Sequence, residues 1–376
     1  MSDPANSRPE TADERVAALL ADAARASHGR YLGTGASLAR LMQPQKHRLN
    51  EIERITIRSM YKALVESVEG ELRARLLARA DLPEVPEFRA SLGAAHVAIV
   101  WPAFVRAGFP EDQDLAEILV QRAKSYGIMR NLRQNVVMAE NGQLDALTEH
   151  GDPDIARDAM KLLIAESRVN DRFDDPRLGR ADLPEAVEHR LVWTVAAALR
   201  EYGQLSHGLD GWGLDEPITG AATAMLTEQG EGLPVDAIAM GLASRLDKAG
   251  LLDERLLVEA LNSARLTLYV ALLAVRAGTT FDIAWEMAGM SDAPSHMVLL
   301  KSIGIERTAA SHLLVTMARA VLLDEREADE IAAAWIEAYD VASPDAIAAA
   351  MRPWRLGHVY RSAITRFAST ADEAAQ

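Results

Sequence analysis

Residues 183–202 read Leu183-Pro-Glu-Ala-Val187-Glu-His-Arg-Leu191-Val192-Trp193-Thr-Val195-Ala196-Ala-Ala-Leu199-Arg200-Glu-Tyr202. Leu183, Val187, Leu191, Val195, Leu199 and Tyr202 recur at steps of three and four, flanked by Val192 and Ala196, so they gather on one face of an α-helix. Ile155, Ala159, Leu162 and Leu163 repeat the pattern. No window alternates with a period of two over a strand length. Alanine, leucine, arginine and glutamate are plentiful, whereas aromatic residues make up 5% of the chain; these are strong helix formers, and strand formers are scarce. The chain therefore reads as all-α.

Working outward, helix starts are written as a short polar residue followed three positions later by Glu, the spacing of a reciprocal cap. Thr11 with Glu14, Asp81 with Glu84, Asp182 with Glu185 and Asp324 with Glu327 fit it. Asp152-Pro153 and Ser343-Pro344 add two starts with proline at the first helical position. Gly108, Gly142, Gly203, Gly250, Gly278 and Gly304 follow apolar-periodic segments and read as stops. A dozen or more helices joined by short loops are expected.

Arg79-Ala-Asp-Leu-Pro-Glu84 recurs as Arg180-Ala-Asp-Leu-Pro-Glu185, an offset of 180 − 79 = 101. Each copy leads through an apolar stretch containing Trp101 or Trp193. The echo suggests a duplicated unit of stacked, HEAT-like helical hairpins. Residues 208–217, Gly-Leu-Asp-Gly-Trp-Gly-Leu-Asp-Glu-Pro, read as a glycine-rich loop, and 229–234 as a second breaker cluster. The expected organisation is a tail over 1–10, a helical-repeat domain over 11–205, a junction over 206–234, a second helical subdomain over 235–368 and a tail over 369–376.

The chain has 376 residues, 40 Lys and Arg against 55 Asp and Glu, and hence a net charge of −15. That length suits one large domain or two ordinary ones. The absence of cysteine removes thiolate chemistry, thiolate zinc sites and disulfides. The acidic balance argues against wholesale binding of nucleic acid, whose phosphates need a basic surface. The N-terminus carries no basic segment followed by an apolar core, and no apolar run reaches the roughly 20 residues of a membrane span. Cytoplasmic residence is expected, with no membrane span and no nucleic-acid partner.

The sequence carries few signs of chemistry. Gly29-Arg-Tyr-Leu-Gly33-Thr-Gly35 lacks the Gly-Lys-Ser/Thr ending of a phosphate loop. The nine histidines form no His-Glu-x-x-His or Glu-x-x-His pair, so no metal and no cofactor is expected. His28, His207, His296 and His312 each follow a serine, but helix neighbours do not face each other. Gly35-Ala-Ser37 is half of a nucleophile elbow without a strand before it. Asn170-Asp171-Arg-Phe-Asp174-Asp175 lacks the alternation and closing Glu of a calcium loop. Past Ile118, the helix carries Arg122, Lys124, Arg130 and Arg133 with no acid as far as Ala139. These four are the candidate partner-binding residues, with a break at Gly127 bringing the two pairs together.

Leu178-Gly-Arg-Ala-Asp-Leu-Pro-Glu185, the run Arg190–Arg200 and Leu299-Leu-Lys-Ser-Ile-Gly-Ile-Glu-Arg-Thr-Ala-Ala310 resemble the bacterial family called domain of unknown function 2336. Asp114–Leu119 and Asp154–Arg157 resemble its helical units, and the likeness runs roughly from Arg79 to Leu323. The resemblance implies a helical, HEAT-like fold and transfers no catalytic residue. The function expected is that of a non-enzymatic interaction scaffold or regulator with a protein partner. A small-molecule sensor with its pocket near Trp212 is the second expectation, and an enzyme the third.

Overall fold

The computed structural model describes residues 12–27, 50–94, 96–109, 112–135, 143–169, 176–228, 233–289, 294–322, 324–357, 360–361 and 364. Among these there are seventeen α-helices and no strand. In chain order they are α1 (Ala12–Ala26), α2 (Glu51–Leu77), α3 (Pro86–Gly93), α4 (Val100–Ala107), α5 (Gln113–Asn135), α6 (Gln143–Thr148), α7 (Pro153–Val169), α8 (Glu185–His207) and α9 (Gly211–Thr227). There follow α10 (Val235–Lys248), α11 (Glu254–Asn262), α12 (Leu266–Ala277), α13 (Phe281–Gly289), α14 (Ser295–Ser302), α15 (Arg307–Val321), α16 (Glu325–Val341) and α17 (Pro344–Met351). The chain gathers into two compact units. The first holds α1, α5 from Lys124 on, α6, α7 as far as Ile164, and α10–α17; the second holds α2–α4, α5 up to Ala123, the end of α7, and α8–α9. Neither unit is contiguous in sequence, whereas the sequence reading placed a single junction at 206–234.

In the second unit the stripe on α8 is buried as its spacing requires: Val187, Leu191, Val192, Val195, Ala196 and Leu199 face inward. They pack against α2, α3, α4 and α9. Full burial of each Val or Leu contributes about 1.5–3 kcal/mol, so the stripe alone anchors α8. The same unit holds a buried charged centre. The Arg73 guanidinium donates to the carbonyls of Leu92 (2.8 Å), Val97 (2.7 Å), Ser91 (2.7 Å) and Ala94 (2.6 Å) and to Glu69 (2.9 Å). All five of its N–H groups are thereby used. Glu69 in turn accepts from the backbone N–H groups of Ile99 and Val100, both at 3.1 Å, which satisfies donors at the start of α4. One buried ion pair thus serves the end of α3 and the beginning of α4.

In the first unit, sequence neighbours pack as pairs, α15 with α16, α12 with α13 and α11 with α12. α14 touches α12, α13, α15, α16 and α17. α12 is buried nearly all round, including Leu268, Tyr269, Val270, Leu272 and Leu273, as a central helix with apolar residues on every face should be.

The caps test the reading of the ends. Asp324 accepts from Glu327 N (2.9 Å), Asp152 from Asp154 N (2.8 Å) and Ser343 from Ala346 N (3.3 Å), as their spacing predicts. Asp81 and Asp182 do not cap the helices after them. Asp81 instead takes the Arg79 guanidinium (2.8 Å), and α3 starts at Pro86. Asp182 closes a short 3₁₀ turn, accepting from Gly179 N (3.0 Å), and α8 starts behind Pro184. Pro184 stands at the N-cap position of α8, whereas Pro83 lies three residues ahead of α3, which opens on its own Pro86; proline has no N–H to give to Asp81 or Asp182. The helices that follow are of unequal length, eight residues and 23.

Gly108, Gly250, Gly278 and Gly304 do end helices with positive φ. Gly203 does not; it lies inside α8, which stops at Gly208 with φ +63°. A Cβ on Gly203 would come within 2.6 Å of Leu214 Cδ1 and 3.4 Å of Phe88, so this glycine serves close helix packing. The predicted loop at 208–217 is also corrected. Only Gly208–Asp210 are non-helical, and α9 runs from Gly211 straight through Pro217. Asp210 caps it at Trp212 N (3.3 Å), and Leu214, Ile218, Ala221, Ala222 and Met225 are buried at helical spacing, which outweighs the low propensity of glycine and proline. Thr11, Gly29–Gly35, Ser37, Gly142 and Asn170–Asp175 lie outside the described residues.

Candidate functional site

The basic helix expected to carry a docking patch is α5. Asp112 caps it, accepting from Leu115 N (3.0 Å). Arg190 clamps that end by donating to Asp112 (2.7 and 2.9 Å) and Asp114 (2.8 Å); those hydrogen bonds raise the guanidinium's pKa further. α5 passes through Gly127 without a break, so the two pairs are not swung together. On a continuous helix Arg122, Arg130 and Arg133 fall toward one side and Lys124 faces the other. Arg122 lies 3.9 Å from the Asp182 carboxylate, both side chains being largely buried at 15% and 12% exposure. Lys124 and Arg133 are also engaged by other groups. Arg130 is half-buried, and its Nε has no hydrogen-bond partner among the described residues. Arg122 belongs to the second compact unit and the other three to the first. Arg122 is thus already close to a carboxylate, and Lys124 and Arg133 have interactions of their own.

The second candidate, the region of Trp212, is a helical hairpin rather than a loop. The Arg200 guanidinium donates to Asp215 (3.2 Å from Nη2) and Gln204 (2.8 Å), and the hydrogen bonds from Arg200 hold the Asp215 carboxyl below its ordinary pKa. That guanidinium occupies the space a side chain at Gly211 would need. The pair fixes the first turn of α9 against α8. From this braced corner Trp212 projects with 84% of its surface exposed, and Leu205, in the last turn of α8, is 69% exposed. An indole this bare is unusual, since tryptophan is highly buried on average.

Farther along α9, Arg79, Glu216, Thr219, Gly220, Thr223, Ala224, Thr227 and Glu228 line a groove of about 610 Å³. Arg79 lies where a side chain at Gly220 would be. Asp81 pairs with Arg79, and their hydrogen bond lowers the Asp81 pKa. Beside them Arg75 bridges Glu71 (2.9 Å) and Glu228 (2.7 Å). Arg180 reaches Glu71 (2.7 Å), Glu188 (2.7 Å) and the Met225 carbonyl (2.7 Å). Three guanidiniums here face the five carboxylates of Glu71, Asp81, Glu188, Glu216 and Glu228, and each guanidinium is already met by one of them, so no positive charge is left for an anion.

Among the described histidines that follow serine, none is hydrogen-bonded to that serine. His207 lies edge-on to Phe88 and Tyr202, and His312 meets Asn262 Oδ1 (2.9 Å). His296 pairs with the Tyr269 hydroxyl (2.7 Å) deep in the first unit, where burial pushes its pKa down to about 3. Burial holds it neutral. No group of three or more His, Cys, Asp or Glu side chains among the described residues is placed to hold a metal. No single described helix is long and apolar enough to cross a membrane; α12 and α13 pass such a test only as a pair bent by 114°.

Neither a curated protein nor a solved structure matches the chain. Residues 137–352 match the family described as an uncharacterised protein conserved in bacteria, DUF2336. The match starts well after Arg79, the expected limit of the likeness, and after Asp114–Leu119, read as resembling one of the family's helical units, and it ends beyond Leu323. With 216 of 376 residues covered (352 − 137 + 1), the chain belongs to this bacterial family.

Proposed function

We propose that the protein is a non-enzymatic, cytoplasmic helical module that regulates or scaffolds another protein, and that its α8–α9 corner is the contact surface. The observation that carries this reading is Trp212, 84% exposed on a turn braced by Arg200 and Asp215, with Leu205 bare beside it in sequence order. Exposed aromatic anchors on rigid supports are where interface energy concentrates. Consecutive packed helices such as α8–α9 and α15–α16 suit HEAT-like hairpins, a construction that presents extended surfaces.

The test is crosslinking with mass spectrometry in native extract, comparing the full chain with Trp212→Ala. The reading expects crosslinks from the α8–α9 corner to one protein, lost in the variant, with the melting temperature unchanged. An identical crosslink set in both would overturn it. The expected patch at Arg122, Lys124, Arg130 and Arg133 becomes the alternative surface, tested in the same way by Arg130→Glu/Arg133→Glu. The second reading, a small-molecule sensor, draws on the groove beside Arg79. It predicts a rise of several degrees in melting temperature with one metabolite, through linkage; a flat screen removes it.

A further inference from the structure

α1 belongs to the first unit although the rest of that unit begins only at Lys124. It packs on α14, α16 and α17, with Val16, Leu20 and Ala23 buried at steps of four and three. At its C-terminal end two side chains from the far end of the chain hold its backbone. Trp354 Nε1 donates to the Ala23 carbonyl (3.1 Å), and Arg361 Nη1 donates to the Ser27 carbonyl (2.8 Å). Arg361 is steadied by Glu286 (2.9 Å) and lies over the Trp354 ring (5.1 Å). At the other end one exposed ion pair, Arg15–Glu337 (3.1 Å), flanks the seat.

Two features of this seat matter. Its apolar footprint is small, with Val16, Leu20 and Ala23 buried and Leu19 half-buried among the described side chains, so α1 can leave at lower cost than the unit unfolds. Its hydrogen bonds read carbonyls that any helix ending there presents, so selectivity rests on the pattern of Val16, Leu20 and a wholly buried small residue at Ala23. The occupant that fits by construction is another α1.

We propose that the groove formed by α14, α16 and α17 is a helix-binding site that exchanges its own α1 for the α1 of a second copy of this chain, giving a reciprocal dimer. Every contact of the seat forms equally in both arrangements, so the balance is set by protein concentration against the local concentration of the tethered helix. Residues 28–49, 22 residues in number, join α1 to α2, and a chain of that length spans at most about 70–80 Å, so its length alone does not confine α1 to its own copy. The surface lies in the first unit and is independent of the Trp212 reading.

The chain contains no cysteine, so introduced thiols are unique. Arg15→Cys and Glu337→Cys are made separately in the full chain; the lost pair is exposed and contributes little. The two proteins are mixed, incubated at rising concentration and treated with a short bismaleimide. Exchange predicts a covalent dimer holding one copy of each variant, with a yield that rises with concentration. Adding Leu20→Asp to the Arg15→Cys chain should cut that yield at least tenfold. A crosslink formed only within the Arg15→Cys/Glu337→Cys double variant, with no mixed dimer, would show that α1 stays on its own chain and would overturn the proposal. So would a mixed dimer indifferent to Leu20→Asp, which would arise on another surface, or a Glu337→Cys chain that captures only a foreign protein in cells.

Discussion

Arg73 in the second unit and His296 in the first are both buried polar groups, and their surroundings differ in kind. The guanidinium spends all five donors on Glu69 and four carbonyls. His296 makes one bond, to Tyr269, while its Nδ1, the Ser295 Oγ and the Trp285 Nε1 have no hydrogen-bond partner among the described residues. A buried charge left unpaired is far more expensive than a buried neutral group left unbonded. The charged centre is therefore complete, whereas the neutral one tolerates gaps, and the molecule keeps its histidine neutral by burial.

The strongest way to break this comparison is Arg73→Met. It strands Glu69 and frees the carbonyls around α3, and should lower unfolding free energy in denaturant by about 3–5 kcal/mol. A loss below about 1 kcal/mol would mean that water already reaches Glu69. Removing both charges, Arg73→Met with Glu69→Leu, should cost less than the sum of the single changes, because the stranded carboxylate is gone.

The neutral centre is probed by pH. The folded-state pKa of His296 is about 3 against an ordinary 6.5, so between these values the unfolded chain binds the extra proton. Stability is full above pH 6.5 and falls as pH drops toward 3, by at most about 1.4 kcal/mol per pH unit. Between pH 6.5 and 5 the loss should approach about 2 kcal/mol, and His296→Phe should flatten it. This window lies above the range where Asp158, Asp329 and Asp340, with carboxyl pKa values lowered in the folded state, add losses of the same sign. An unchanged slope in the variant would place the titration elsewhere.

Tyr269→Phe asks for less. It removes the hydroxyl that satisfies His296 Nε2 and should cost about 1–2 kcal/mol at neutral pH. A larger loss would mean that the neutral centre is as demanding as the charged one. Trp212→Ala marks the floor of the scale. An indole that touches little should change stability by less than about 0.5 kcal/mol, and any larger effect would mean that the side chain is part of the packing.

How much of this was legible in the sequence depends on the range of the interaction involved. The all-α class, the buried face of α8 and the caps at Asp152, Asp324 and Ser343 follow from neighbours three or four positions apart, which a linear reading captures. The two Asp-Leu-Pro-Glu copies carry the same local signal and end differently: α8 opens directly after Pro184, whereas α3 opens only at Pro86. Gly203 and the stretch from Gly211 to Pro217 misled for a reason of their own. Glycine marks a stop when φ turns positive, but it also clears room for a neighbouring helix, and only Leu214 and Phe88 reveal which. The basic run on α5 looked bare because Asp182 lies sixty positions from Arg122 (182 − 122), and Trp212 looked like a loop residue until Asp210 and Arg200 were seen to brace it.

By itself the sequence determined periodicity, composition, family and the local ends of several helices, all of which depend on backbone geometry within a turn or two. Tertiary structure alone decided that Arg73 meets carbonyls 18 to 24 residues away, that Trp354 closes on Ala23 across 331 positions, and that Trp212 is left outside the core. The physical reason is that burial and hydrogen-bond satisfaction are properties of the packed whole: a guanidinium, an indole or a missing Cβ has no fixed role until distant segments supply, or withhold, its neighbours.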